Sequence, residues 1–299
     1  QIAATTIDIN GAIAMDGAIT GATNITLSGE LDAATLDISG NADIDGTMEA
    51  DAYTIGGAAF IKVEGTDFTD SLLVGHSTTG TLDAAEGNTG IGIDALDAIT
   101  AGDKNTVVGK GAGTAVTSGI NNVYVGYQSG FTNQTTTRCV GVGMETLRSN
   151  TGGSNQTAIG HTAGYRSLGA YNSFLGTGAG YGASGSAATG TYNIGIGSGA
   201  FDVFTSGGYN IAIGKDSGNN ITSGSGNVVI GVADVSSATG DDQLSISDGE
   251  DGSVVWMTGD SSANVTFAAD VTLGDDLVLD SDSAAIKFGD DQEITLTHT

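Results

Sequence analysis

The chain has 299 residues, with 35 Asp and Glu against 8 Lys and Arg, for a formal net charge of −27. That surface repels nucleic acid and anionic lipid, which excludes both as partners. No run approaches the roughly 18 consecutive apolar residues that a membrane span requires. Gly numbers 50, Pro is absent and aromatics are 6%, so a Pro-rich linker and a thick globular core give way to short strands with Gly at their corners.

The acids are unevenly placed. Residues 1–65 hold 10 acids and one Lys, residues 236–299 hold 14 and one Lys, and the stretch between holds 11 against 6 bases. In the first region IDING (7–11), ITLSG (25–29), LDISG (36–40) and ADIDG (42–46) each predict a short half-buried strand ending at Gly. Residues 1–65 are therefore read as a short-strand β shaft. Residues 66–87 lose that pattern and read as a junction.

From residue 88 to 235 a repeat takes over. A Gly ends each short apolar run at Gly92, Gly109, Gly126, Gly143, Gly160, Gly176, Gly197, Gly214 and Gly231, with spacings of 17 except for one of 16 and one of 21. Seventeen residues is too short for a βαβ unit of about 30 and suits one coil of a solenoid, with rungs about 4.8 Å apart. Four residues before the anchor stands Asn in seven of nine copies: Asn88, Asn105, Asn122, Asn172, Asn193, Asn210 and Asn227; Cys139 and Gln156 are the exceptions. Stacked Asn amides can bond the copies above and below.

Two aliphatic-rich columns, one and three residues before the anchor, lie on one strand face by the two-residue period and are expected to point into the coil. The column between them (Gly90, Val107, Tyr124, Gly141, Ala158, Phe174, Gly195, Ala212 and Val229) is then expected to point outward. A solvated face would carry polar residues there. Either that face is covered, most economically by identical chains about a symmetry axis, or Gly and Ala are tolerated while Tyr124 and Phe174 pack laterally. Residues 236–299 return to acidic short strands, as in NVTFAADVTLGDDLVL (264–279) and AAIKFGDDQEITLTH (284–298).

The pattern (T/S)-G-x-x-N-x-x-(I/V)-G-x-x-(A/S)-G, clearest in TSGINNVYVGYQSG (117–130) and TSGGYNIAIGKDSG (205–218), resembles the head repeats of trimeric autotransporter adhesins and the longer form in phage tail-fibre proteins. The period of 17 favours the phage type, and both flanks look like shaft modules of virion fibres. The resemblance covers about half the chain. It implies an all-β, β-roll or β-solenoid fold of about nine 17-residue rungs in an intertwined parallel homotrimer, with shaft modules at both ends.

Little in the chain points to catalysis. His76, His161 and His298 are scattered, Cys139 is the single cysteine, and no H-E-x-x-H or G-x-S-x-G occurs. GKGAG (109–113) is a rung corner without the helix a phosphate loop needs. A tailspike-type cleft needs two carboxylates roughly 5–10 Å apart, and the acids of the roll (Asp94, Asp97, Asp103, Glu145, Asp202, Asp216 and Asp234) show no matching pair on any rung. SDGEDGS (247–253) is the best calcium candidate but lacks EF-hand and nonapeptide spacing; three copies of one carboxylate at a trimer axis would leave a divalent cation open.

The function expected is that of a structural, non-enzymatic fibre protein on the surface of a phage virion, a tail fibre or similar appendage acting as a rigid rod in host attachment. Its partners would be its own copies, other virion structural proteins, and a host-surface glycan or protein. A bacterial trimeric surface adhesin or appendage subunit is the alternative, and a polysaccharide depolymerase the third reading. No catalytic, cofactor or metal-ligating residue is assigned. Tyr127, His161, Tyr165, Arg166, Tyr181 and Lys215, beside the anchors, are the candidate surface contacts, because aromatic and basic side chains suit sugar or protein faces.

Overall fold

The computed structural model describes residues 53–55, 58–63, 67–75 and 79–272. The strands expected at 7–46 and at 273–299, with His76 and His298, lie outside the described residues. Those described fall in the unit that begins at Ala50.

They are all β, with no helix among them: β1 (Tyr53–Ile55), β2 (Ala58–Val63), β3 (Phe68–Thr69), β4 (Leu72–Val74), β5 (Ala85–Glu86), β6 (Thr89–Ile91), β7 (Thr106–Val108), β8 (Val123–Val125), β9 (Val140–Val142), β10 (Thr157–Ile159), β11 (Ser173–Leu175), β12 (Ile194–Ile196), β13 (Ile211–Ile213), β14 (Val228–Ile230), β15 (Leu244–Ser247), β16 (Val255–Gly259) and β17 (Val265–Phe267). From β4 through β6 to β15 each strand pairs in parallel with the next, in the register the repeat demands, such as Thr106↔Val123, Val107↔Tyr124 and Val108↔Val125. The result is a β-solenoid of about ten turns. Antiparallel pairs β2/β4, β15/β16 and β16/β17 bracket the stack.

The parallel stack takes in one more strand on each side of residues 88–235. Gly75, 17 residues before Gly92, closes β4 with φ +109°, so part of the stretch read as a junction is itself a rung. The 21-residue spacing between Gly176 and Gly197 leaves β11 and β12 in register and is absorbed outside the strands.

The anchor glycines are required twice over. Gly92 to Gly214 sit at φ between +126° and +137°, a region that L side chains rarely adopt. A Cβ on Gly92 would also stand 2.7 Å from the backbone of Gly109 on the next rung.

The strand faces run opposite to the expectation. The middle column points inward: Val107, Tyr124, Ala158, Ala212 and Val229 have no exposed surface, and Phe174 only 1%. The branched aliphatics point outward, with Ile91, Ile159, Leu175, Ile196, Ile213 and Ile230 between 38% and 48% exposed. The physical reason is the thinness of the coil. Its interior holds one strand residue per rung, opposite a return limb that buries Leu96, Ile99, Val116, Leu147, Phe201, Phe204 and Ile221. The large rings in the column must therefore be followed by small residues, as Tyr124 is by Gly141 and Phe174 by Gly195, to hold packing density. A Cβ on Gly195 would meet Phe174 at 3.1 Å and Phe201 at 3.5 Å; one on Gly141 would meet Tyr124 at 3.2 Å. Small, uncharged residues there mark the inside.

Candidate recognition surface

The Asn column lies in the core, where it holds the strand starts in place. The Nδ2 of Asn105 donates to Asn88 Oδ1 (3.0 Å) and to the carbonyl of Gly119 (2.9 Å), while the Asn105 backbone N–H donates to the same Oδ1 (3.1 Å). Asn122, Asn210 and Asn227 repeat this pattern. The ladder starts from the Ser71 hydroxyl, which accepts from the Asn88 N–H, and ends at Gln243, which donates to Asn227. It is interrupted where the sequence is. Cys139 keeps the backbone bond to Asn122 Oδ1 (3.0 Å) but offers only its thiol to Gly153 O (3.3 Å), and Gln156 turns to Ser167. Among the described residues no buried side-chain polar atom lacks a partner. Burial pushes the Tyr124 hydroxyl and the Cys139 thiol up from their usual ranges, so both stay protonated and inert.

The six candidate contacts fall on two lines. Tyr127, His161 and Lys215 each follow an anchor Gly directly and are exposed, but they stand on rungs that are not adjacent and do not converge. Lys215 pairs with its neighbour Asp216 at 3.4 Å. Tyr165, Arg166 and Tyr181 do converge. The two rings stack with centroids 4.9 Å apart and planes 17° apart, and the Arg166 guanidinium carbon lies 5.3 Å from one and 4.9 Å from the other.

Phe131 and Arg148, which the sequence reading passed over, belong to the same pile. Each stands five residues after its anchor, as Tyr165 and Tyr181 do. The Arg148 guanidinium lies 5.2 Å from the Phe131 ring and 5.6 Å from that of Tyr165. It donates to the Tyr165 hydroxyl (2.8 Å) and to Gln128 Oε1 (3.0 Å), and pairs with Glu145 at 3.5 Å. A second aromatic line, Tyr171, Tyr192 and Tyr209, stacks at 4.8 and 4.9 Å with 46–65% of each side chain exposed. Its signal was visible, since each Tyr immediately precedes a ladder Asn.

The calcium candidate is organised differently from a cation loop. Asp248 spends its carboxylate on the backbone N–H groups of Glu250, Asp251, Gly252 and Val254, at 2.7–3.1 Å, and these hold its pKa down at about 2. Three other carboxylates from successive rungs act on one another, which the per-rung spacing concealed. Burial raises the pKa of Asp202, helped by Asp216 and Asp234, and burial likewise raises that of Asp234. Asp216 and Asp234 line a recess of about 320 Å³ with Asn219 and Asp251. Among the described residues no group of three or more His, Cys, Asp or Glu is arranged to hold a metal ion.

Compared with family models, curated proteins and solved structures, the chain matches none.

Proposed function

We propose that this chain is a structural fibre protein of a phage virion, assembled as a homotrimer, whose repeated rungs form a stiff support for contacts with the host surface. The supporting observation is the outward strand face. Ile194, Ile196, Ile211, Ile213, Val228 and Ile230 occupy adjacent, register-matched rungs, half-buried or exposed rather than covered. A continuous apolar face of this kind favours burial against a partner, and identical chains present the identical stripe. Association would thus bury the columns flanking the middle one, not the middle column itself. Three parallel solenoids would hold many weak contacts at once, which yields avidity without a tight single site.

Sedimentation under native conditions tests this. The expected mass is three times the 29.5 kDa of one chain, and the double substitution Ile196→Lys with Ile213→Lys should reduce it to one. A single-chain mass for the unmodified protein overturns the proposal.

A further inference from the structure

The long rung builds a cleft beside the aromatic pile. Between Tyr181 and Thr189 the extra residues loop out, with Ser184, Gly185, Ser186 and Ala187 exposed. They return at Ala188, which bridges to Ser167 and accepts the N–H of Leu168 at 2.7 Å. Gly182 (φ +85°) lets the loop cross Arg166 closely, since a Cβ there would stand 3.0 Å from Arg166 Cβ. The loop thereby borders an open cleft of about 160 Å³ lined by Ser149, Arg166, Leu168, Ser186 and Ala187.

Arg166 differs from its neighbour. Arg148 is tied to Glu145, Gln128 and Tyr165. The Arg166 guanidinium makes no ion pair or hydrogen bond with the described residues; two tyrosine rings hold it. Contact with the two rings occupies none of its N–H donors, which stay available to a bidentate anion. The other walls are neutral: two hydroxyls able to donate and accept, and the apolar side chains of Leu168 and Ala187. The volume is well below the roughly 300–1,000 Å³ of pockets that enclose drug-sized ligands, which limits the occupant to one small unit.

We propose that this cleft binds a single acidic sugar unit of a surface polysaccharide, its carboxylate or sulfate on Arg166, its hydroxyls on Ser149 and Ser186, and its C–H face on Leu168. The inference rests on the attachment reading above and gives it a ligand class. The anion must come on a sugar rather than a long anionic polymer face, because a chain of net charge −27 admits negative charge only where a local cation receives it.

Calorimetric titration of the full chain with a neutral oligosaccharide ending in one galacturonate tests this, alongside its methyl ester, the same oligosaccharide bearing one sulfate instead, and an oligoglutamate. Binding of the carboxylated or sulfated sugar, with no binding of the ester, is expected, and comparison of the two acidic sugars identifies the anion. Arg166→Gln should weaken it at least about tenfold, the loss of one charge-assisted contact of about 1.4 kcal/mol. Arg166→Lys should recover part of it, and Lys110→Gln, at an exposed lysine away from the cleft, should change nothing. Unchanged thermal unfolding of Arg166→Gln separates lost binding from lost structure. No binding by either acidic sugar, binding indifferent to Arg166, or equal binding of oligoglutamate overturns the proposal, the last in favour of an acidic protein segment. Sugar binding by a chain that sediments as one copy would keep this site and discard the trimer.

Discussion

The amide nitrogen of Asn105 lies 3.0 Å from the Oδ1 of Asn88 one rung away, and the same nitrogen reaches the carbonyl of Gly119 at 2.9 Å. One side chain thus ties together three successive coils at a buried corner. In a thin core, where few apolar side chains meet on each rung, such bonds fix register, since a slipped strand would leave several buried groups unpaired.

Asn105→Ala should therefore cost about 2–3 kcal/mol, because it strands the Gly119 carbonyl and halves the use of Asn88 Oδ1. Thr106→Ala, one residue on and exposed, should stay within about 0.5 kcal/mol. The gap at Cys139 supplies the converse. Cys139→Asn restores the donor that Asn122 Oδ1 lacks and should stabilise the fold by about 1 kcal/mol. Chemical denaturation of the variants with the midpoint compared at constant m-value checks all three.

The anchor glycines give a sharper contrast. Gly126 combines φ +135° with the backbone of Gly143 against any Cβ, so Gly126→Ala should cost more than about 3 kcal/mol. Gly152 has open space around it and no left-handed φ; Gly152→Ala should be neutral or stabilising by less than about 1 kcal/mol, through the unfolded chain. Thermal unfolding monitored by circular dichroism separates the two.

Those two glycines also show what was legible in the sequence. The register and the Asn ladder followed from spacing alone, because stacking in a solenoid converts sequence period directly into contact, whereas the expected nine rungs fell short of the stack. Gly75 continues the anchor column and Ser71 the Asn column, but with Ser in place of Asn the first rung was hidden. The strand faces were misread for a different reason. Period-two alternation says which residues share a face but not which face is inside, and branched aliphatic side chains suggest burial more strongly than Gly and Ala do. In a coil this thin, Gly90 and Gly195 are inside because Leu73 and Phe174 of the preceding rung fill their space. The convergence of Tyr165, Arg166 and Tyr181 was not read, although Tyr165 and Tyr181 share with Phe131 and Arg148 the fifth place after the anchor. Neither was the cleft, because it depends on the path of the one irregular loop.

The carboxylates allow a test in which two substitutions must slope in opposite directions. The pKa of Asp202 is raised by burial and by Asp216 and Asp234, so the folded chain holds that proton more tightly than the unfolded chain, whose Asp titrates near 3.9. Its charge therefore opposes folding at neutral pH, and the penalty fades as pH falls through the raised value. Asp202→Asn should raise the melting temperature at pH 7 and lose that advantage by about pH 3. Asp248 is the reverse. Held at about 2 by four backbone N–H groups, it contributes stability above about pH 4 that is lost as pH falls through 2. Asp248→Asn should thus lower the melting temperature at pH 7 and converge on the unmodified chain near pH 2. Melting curves from pH 7 to pH 2 measure both; parallel pH profiles for the two variants would contradict the environments described for these two carboxylates.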